Sequence, residues 1–263
     1  MPVWPRKYWH EMTPKEFADI EPRTIAVLPV AAIEQHGPHL PVWVDTCINE
    51  GIVRHMLDRL PGGLPVTVLP TLAIGKSVEH VSFPGTLTLS AETLARVWIE
   101  VGESVARAGI RKLVILNSHG GQPQVMEIVA RELRIRRKMF VVTLNWWGVG
   151  MPDGLFPPDE ARHGIHAGSS ETSLMMYLAP ELVRDHERRD FRPATRDLAE
   201  RYRYLNAEGA GVGFGWQAED LHPSGACGNA ADADAGRGRL IVETVADRLI
   251  ELMREVDDFT IPY

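Results

Sequence analysis

Cysteine is scarce in this chain of 263 residues, which contains only two, Cys47 and Cys227. Two cysteines are too few for the disulfide framework that stabilises small extracellular domains. We therefore expect both side chains to be buried or unoxidised thiols in a reducing cytoplasm. The N-terminal sequence Met-Pro-Val-Trp-Pro-Arg-Lys lacks the apolar core of a signal peptide, which also favours a cytoplasmic localisation.

Long apolar runs and an excess of positive charge are absent as well. No stretch approaches the roughly 20 apolar residues that a membrane-spanning helix needs, so we expect no membrane partner. The formal net charge is −7, which is unsuited to the phosphates of a nucleic acid. The sequence shows no internal repeat, low-complexity tract or linker. We therefore expect a single domain over residues 1–263.

Short apolar runs alternate with helical patterns along the chain. The runs are rich in Val, Ile, Leu and Ala and are bounded by turn residues, which is typical of buried strands. The predicted strands are 24–33, 66–75, 112–117 and 140–147. The predicted helices begin near Thr13, Asp45, Ser90, Gly121, His163 and Arg237. At least four strand–helix alternations predict an α/β fold, a doubly wound and mostly parallel sheet with helices on both faces.

Three segments carry more specific expectations. Pro70 interrupts the second predicted strand, so this strand should lie at an edge of the sheet or end early. The helix after Gly121 should bury one face, formed by Val125, Ile128, Val129 and Leu133. The segment 180–215 is charged and has little periodicity, so we expect surface loops there.

A carboxylate, an imidazole and a second carboxylate follow the first predicted strand within about a dozen residues. Glu34 and His36 are two residues apart, and side chains two apart on a strand point the same way. Asp45 returns after the turn at Gly37-Pro38, where a helical pattern begins. These side chains are suitable ligands for a divalent metal. Alternatively, Asp45 caps the helix, and Glu34 and His36 are ordinary polar residues at a strand end.

His119 follows the third predicted strand in a similar way. Ligands of doubly wound sheets bind outside the carboxyl ends of the strands, so Glu34, His36 and His119 should converge on one edge. The glycines at 120 and 121 would let the backbone approach a ligand closely. A single histidine in this position can equally be a hydrogen-bonded structural residue. Its combination with Glu34, His36 and Asp45 favours a metal site.

Further polar side chains surround the start of the helix predicted near His163. His163 and His166 are candidates for substrate contact or proton transfer, and ordinary surface positions are the alternative. Glu171 falls in the first turn, where a carboxylate also suits the helix dipole.

Together these motifs resemble the creatininase (creatinine amidohydrolase) family over almost the whole chain. The string E-Q-H-G-P-H with its downstream D, the H-G-G and the E-T-S carry the resemblance. The similar segments are 29–39 with Asp45, 83–86, 117–121, 166–173 and 228–238. The resemblance implies a dinuclear metal hydrolase of C–N bonds in small amides and lactam-like rings, commonly assembled as a homohexamer.

The resemblance also implies roles for individual residues. Glu34, His36, Asp45 and His119 would bind one or two divalent ions per chain, namely zinc, manganese or iron, with Asp45 bridging two ions. His166 would donate a proton to the leaving nitrogen, and Glu171 would orient His166 or a ligand. The expected substrate-binding residues are Trp147, Trp146, His80 and His39.

Three positions depart from the family's creatinine enzymes, and two of them, Ile165 and Arg162, imply a different substrate. Gly121 stands where those enzymes have a metal-binding glutamate, so the second ion lacks a carboxylate unless Glu171 or water supplies it. Ile165 replaces a glutamate, and Arg162 lies near the position of a pocket tryptophan. Two alternatives to an amidohydrolase therefore remain, a family hydrolase that cleaves a C–C bond of a cyclic diketone and a metal-holding protein without catalysis.

Overall fold

A parallel sheet forms the centre of the computed structural model, which describes residues 2–207 and 212–260. Its strands are β1 (Ile25–Val30), β2 (Val66–Val68), β3 (Lys112–Asn117) and β4 (Phe140–Asn145). Their order across the sheet is β2-β1-β3-β4, and every neighbouring pair is parallel. A separate antiparallel pair consists of β5 (Asp190–Phe191) and β6 (Gly228–Asn229). The predicted mostly parallel sheet is thus confirmed.

The α-helices of the described residues are α1 (Pro14–Ala18), α2 (Val44–Arg59), α3 (Ala91–Arg107), α4 (Pro123–Arg137), α5 (Pro158–His163), α6 (Ser169–Leu178), α7 (Thr195–Arg201), α8 (Ala218–Leu221) and α9 (Ala235–Asp258). Short 3₁₀ helices occur at Trp9–Glu11, Val78–His80, Trp146–Val149, Pro180–Leu182, Asp185–Glu187 and Ala230–Asp232. Capping residues in the sequence explain where several of these helices begin. Thr13 forms a capping box with Glu16, and the side chains of Ser90 and Asp234 cap α3 and α9.

Helices cover both faces of the sheet. Every residue of β1 is buried, and alternate side chains enter two different cores. Ile25 and Val27 pack with α2, α6 and α9 on one face. Ala26 and Leu28 pack with α3 and α4 on the other. This arrangement confirms the predicted α/β architecture and leaves the carboxyl edge of the sheet open for loops.

Several predicted bounds need correction. β2 ends at Val68 rather than at residue 75, which agrees with the early end predicted from Pro70. β1 ends at Val30, so Glu34 and His36 lie in the loop beyond the strand. β4 likewise ends before Trp146. The predicted burial of Ile128 is wrong, because this side chain is 58% exposed on the outer face of α4.

The segment 180–215 is more structured than predicted. It contains β5 and α7, in which Phe191 and Thr195 are buried. Its residues 208–211 lie outside the described part of the chain. Both cysteines are buried, as expected. None of the helices in the described residues combines the length and apolar character needed to cross a bilayer.

Candidate metal centre and its cavity

The four side chains predicted to bind metal meet at the carboxyl edge of the sheet. Asp45 Oδ1 lies 3.4 Å from His36 Nε2, and Asp45 Oδ2 lies 3.4 Å from His119 Nδ1. Glu34 Oε1 lies 3.2 Å from the same nitrogen of His119. All four side chains are buried. Asp45 therefore stands between two imidazoles and directs one oxygen toward each.

The packing of α2 against the strand ends places Asp45 in this position. Asp45 lies in the first turn of α2, and the N-cap residue is Trp43, so the predicted alternative role of Asp45 as a cap is wrong. Asn49 Nδ2, one turn later, donates to the carbonyl oxygens of Val30 and Leu116, each at 3.0 Å. Because these carbonyls belong to β1 and β3, Asn49 ties the start of α2 to the sheet edge.

Backbone carbonyls determine which nitrogen each histidine presents to the cluster. His36 Nδ1 lies 3.0 Å from the carbonyl oxygen of Glu34, which can only accept a hydrogen bond. Its Nε2 therefore faces Asp45 with a free lone pair in the neutral ring. His119 Nε2 donates to the carbonyl oxygen of Lys76 at 2.8 Å, so Nδ1 is the nitrogen that faces the carboxylates. Metal-binding histidines typically have such a carbonyl partner on the second nitrogen.

The donor set fits a divalent cation. In the described part of the chain, Glu34 Oε2, His36 Nε2 and Asp45 Oδ2 are buried without a hydrogen-bond partner. Leaving a buried polar group unsatisfied costs about 1–3 kcal/mol. Within the described residues, four sets of three donors have their atoms within 4.8 Å of one another. Two of them share Asp45, namely Glu34 with Asp45 and His119, and His36 with Asp45 and Glu171, and the other two combine Glu34 with His36 and His166 or with Glu79 and His80. Nitrogen and carboxylate donors of this kind suit zinc, manganese or iron, so the residues fit one or two ions.

Without an ion, the cluster retains protons. Burial alone would lower the pKa of His36, but the close approach and charge of Asp45 outweigh it and the pKa rises to about 9. Burial is likewise outweighed at His119, where mainly the charge of Glu34 raises the pKa to about 10. Burial and then the charge of Glu34 raise the pKa of Asp45 to about 7. An ion that takes these donors must displace protons, which makes loading depend on pH.

Gln35 selects the tautomer of a third histidine, His80. The amide nitrogen of Gln35 lies 2.7 Å from His80 Nδ1 and 3.1 Å from the carbonyl oxygen of Gly225. Its amide oxygen accepts from the N–H of Gly37 at 2.9 Å, which fixes the orientation of the amide. Because an amide nitrogen only donates, His80 Nδ1 accepts and the proton is on Nε2. That Nε2–H lies 3.6 Å from Glu34 Oε2.

His166 has the opposite tautomer. Its Nε2 donates to the carbonyl oxygen of Gln35 at 2.7 Å, so Nδ1 carries the lone pair, 3.8 Å from Glu34 Oε1. Burial and the charge of His36 lower the pKa of His166. Burial and the charge of His166 lower the pKa of His80 to about 2. Both rings are therefore neutral at neutral pH. The nitrogen that faces Glu34 carries a proton in His80 and a lone pair in His166.

Glu171 connects the turn after His166 with the metal ligands. Its Oε2 accepts from the N–H of Ala167 at 2.6 Å and lies 3.8 Å from His36 Nε2. Ala167 has a φ of +54°, which is strained for a residue other than glycine and needs such support. Glu171 thus holds the turn and also belongs to the second set of metal donors.

A cavity of about 310 Å³ opens beside the cluster. Glu34, Asp45 and His119 lie on its acidic side, together with His80, His166 and Glu171. Its apolar side includes Trp147, Phe156, Ile165 and Trp216. The ring of Trp146 packs edge-on against Trp147 with centroids 5.5 Å apart. Apolar side chains combined with a few polar donors are the usual composition of a small-molecule site.

Two of the histidines singled out in the sequence lie away from the cavity. His39, expected to bind substrate, is fully buried, with Nε2 2.9 Å from Thr172 Oγ1 and its ring stacked on Phe191. The positive φ of Gly37 turns the chain, so His39 points toward β5 instead, and substrate contact through His39 is not supported. His163 lies 3.1 Å from Thr195 Oγ1 and does not line the cavity either.

Sequence reasoning missed three other side chains of the cavity. Glu79 lies directly before His80 in the 3₁₀ helix Val78–His80, within the polar segment that follows β2, and its position beside a candidate histidine is the signal that could have identified it. Glu160 is a buried carboxylate that accepts from the N–H groups of Ser169 and Asn229, both at 2.8 Å. Trp216 comes from an irregular segment. We find no local pattern that predicts either Glu160 or Trp216.

Comparisons with known proteins show which family the chain resembles. The creatininase family model, described as creatinine amidohydrolase, matches residues 10–253. The mycofactocin precursor peptide peptidase of Mycobacterium ulcerans (strain Agy99) is 35% identical over 162 residues, which cover 60% of this chain and 59% of that protein. This chain therefore spans less than two thirds of that relative's length.

Two further similarities cover nearly the whole chain. The 3-dehydro-scyllo-inosose hydrolase of Thermotoga maritima is 26% identical over 263 residues, which cover 95% of this chain and 83% of that protein. A structure of creatininase with manganese superposes with a TM-score of 0.77 at 25% identity, covering 97% of this chain and all of the other. The relatives are thus hydrolases named for a peptide, an inosose and creatinine.

Proposed function

The chain belongs to the creatininase family, and on that premise we propose that it is a metal-dependent hydrolase of the C–N bond in a small cyclic or linear amide other than creatinine. The main support is the set of buried donor atoms without partners, Glu34 Oε2, His36 Nε2 and Asp45 Oδ2, beside a cavity. Glu34, Asp45 and His119 would hold one ion, and His36, Asp45 and Glu171 a second. Zinc, manganese and iron are the candidates.

The chemistry that such ions supply when bound is activation of a water and polarisation of a carbonyl oxygen. The chain's own contribution includes a base. Neutral His166 presents the lone pair of Nδ1 and is placed to take a proton from the attacking water. The ring then carries protons on both nitrogens, and Nδ1–H can protonate the leaving nitrogen. Acid–base assistance of this kind typically contributes about 10²–10⁴-fold.

Other side chains position these groups. His80 Nε2 lies 3.6 Å from Glu34 Oε2, too far for a hydrogen bond, and its N–H would favour the negative charge of that carboxylate electrostatically. Gln35 keeps His80 and His166 in their opposite tautomers. The apolar side chains of the cavity, including Trp147 and Ile165, suit a flat amide or ring and reduce the access of bulk water to the site. The homohexamer implied by the family resemblance is also part of this proposal and is checked by light scattering.

A substrate panel tests the proposal. Zinc- or manganese-loaded protein is incubated with formamides, lactams, N-acyl amino acids and short peptides, and product amines are quantified. Cyclic diketones in the same panel test the alternative C–C cleavage. Hydrolysis of an amide that is lost in His166→Gln supports the proposal. Failure on every substrate despite full metal occupancy contradicts it and favours a metal-holding protein without catalysis.

A further inference from the structure

Arg162 is an unpaired cation on the wall of the cavity. It lies in the last turn of α5, is exposed and lines the cavity. Among the described residues its guanidinium makes neither a hydrogen bond nor an ion pair. Asp159, an exposed carboxylate on the same helix, does not pair with Arg162. It pairs with Arg196 at 2.7 Å. Arg162 is therefore available to a ligand.

The acidic residues of the cavity do not neutralise Arg162, because each has another partner. Glu79 pairs with Lys76 at 3.1 Å. Glu160 accepts two backbone N–H groups, and Glu171 accepts one. Glu34 and Asp45 belong to the metal cluster. Within the described residues that line the cavity, Arg162 is the only arginine or lysine.

The surroundings of Arg162 indicate what kind of ligand group it would receive. Phe156, Ile165 and Trp216, which also line the cavity, are apolar and offer no competing hydrogen-bond acceptor from their side chains. A guanidinium binds a carboxylate through two parallel N–H···O bonds, a planar geometry that favours carboxylates over neutral groups. The cavity of about 310 Å³ is at the lower end of the roughly 300–1,000 Å³ typical of small-molecule sites.

We propose that Arg162 binds a carboxylate of the substrate while the scissile amide lies at the metal cluster. The inference rests on the proposed function and narrows its substrate class to amides that carry a carboxylate. N-acyl amino acids and the C-terminal residue of a peptide share this chemistry. Arg162 is then the specificity-determining residue that rejects uncharged amides.

Binding of hydroxamate probes tests the inference without relying on turnover. Malonic, succinic, glutaric and adipic monohydroxamates carry a metal-chelating group at one end and a carboxylate at the other. The matched probes have a carboxamide in place of the carboxylate. Each pair is titrated by calorimetry into zinc-loaded wild type, Arg162→Met, Arg162→Lys and Arg203→Met. Arg203 is a suitable control, because it is exposed and does not line the cavity.

The expected result is a preference for the carboxylate probe of at least about tenfold in wild type for one chain length, as expected for a charge-assisted pair. Arg162→Met should bind both probes of that length equally, Arg162→Lys should keep part of the preference, and Arg203→Met should keep all of it. Equal binding of both probes to wild type at every length overturns the inference alone. If no hydroxamate binds at all, the metal-dependent function is contradicted as well.

Hydrolysis assays compare the two possible sources of the carboxylate, an N-acyl amino acid and the C-terminal residue of a peptide. An N-acetyl amino acid is compared with a longer peptide that ends in the same residue, each as the free acid and as the C-terminal amide. Faster hydrolysis of a free acid than of its amide, with the difference lost in Arg162→Met, supports the subsite. Equal rates for acid and amide in wild type contradict it.

Discussion

Glu79 fills the space that a side chain at position 121 would occupy. A Cβ added to Gly121 would overlap with Glu79 Oε1 and would lie 2.5 Å from His119 Nε2. Lys76 links the two residues, because its Nζ donates to Glu79 Oε2 at 3.1 Å and to the carbonyl oxygen of Gly121 at 3.0 Å. The absence of a side chain at Gly121 therefore leaves the space that the carboxylate of Glu79 occupies. The second ion's carboxylate would come from Glu171, on the other side of the cluster.

This steric relationship predicts that substitutions at positions 79 and 121 have strongly coupled effects on the free energy of unfolding. Gly121→Ala should destabilise the protein by about 1–3 kcal/mol, because the new methyl group displaces the carboxylate of Glu79 from His119 and Lys76. In the background of Glu79→Ala, the same substitution should cost less, because only the close approach to His119 Nε2 remains. Urea unfolding of the two single variants and the double variant measures the coupling. Additive effects would contradict the steric relationship, whereas a coupling above about 1 kcal/mol agrees with it.

Metal loading should release protons near neutral pH. The pKa values of His36 and His119 in the ion-free protein, about 9 and about 10, mean that both rings are charged at pH 7. Both must be neutral to bind an ion, so metal affinity should fall as the pH falls below these values. We expect about two to three protons per chain on saturation at pH 7, one each from His36 and His119 and a fraction from Asp45, whose pKa is about 7. Calorimetry in buffers of different ionisation enthalpy measures the number, and no release would contradict the assigned ligands.

His166→Gln should separate proton transfer from metal binding. Glutamine keeps a polar group at this position but cannot act as a base, so kcat should fall by about 10²–10⁴-fold. Metal content should stay unchanged, because the proposed ligand sets do not need His166.

The pH profile gives a second test of the same residue. Because the pKa of His166 lies below its ordinary value, the neutral base persists into mildly acidic solution. Wild-type kcat/KM should therefore fall only below about pH 6.5, the ordinary histidine value. The variant should lack this acidic limb. Loss of metal in His166→Gln would show that His166 is a ligand.

Local signals in the sequence predict the framework of the fold well. β3 was predicted with its observed bounds, because an apolar run lies between a basic start and a polar end. The capping box of Thr13 and Glu16 predicted α1, because all of its interactions are between residues that are close in the sequence. Glu34, His36 and His119 were placed at the correct edge because they follow strands that are parallel.

Contacts between distant segments explain what the sequence did not predict. Glu34 is held by Val42 through a backbone hydrogen bond of 3.0 Å, and Ile33 pairs with Leu87. These pairings, rather than the pleat of a strand, bring Glu34 and His36 together. His39 was expected in the cavity because it is close to His36 in sequence, but one glycine turn reverses its direction. Arg162 reaches the cavity through the tertiary placement of α5.

Elemental metal content per chain tests the central claim most directly. Protein purified without a metal-affinity tag is compared with Asp45→Asn, which preserves the size of the side chain between His36 and His119. Asp247→Asn on the exposed part of α9 is the matched control. We predict one to two zinc, manganese or iron ions per chain in wild type and in the control. Asp45→Asn should lose them while retaining its circular dichroism spectrum. Absence of metal from wild type after addition of zinc or manganese would contradict the account, as would full metal content in Asp45→Asn.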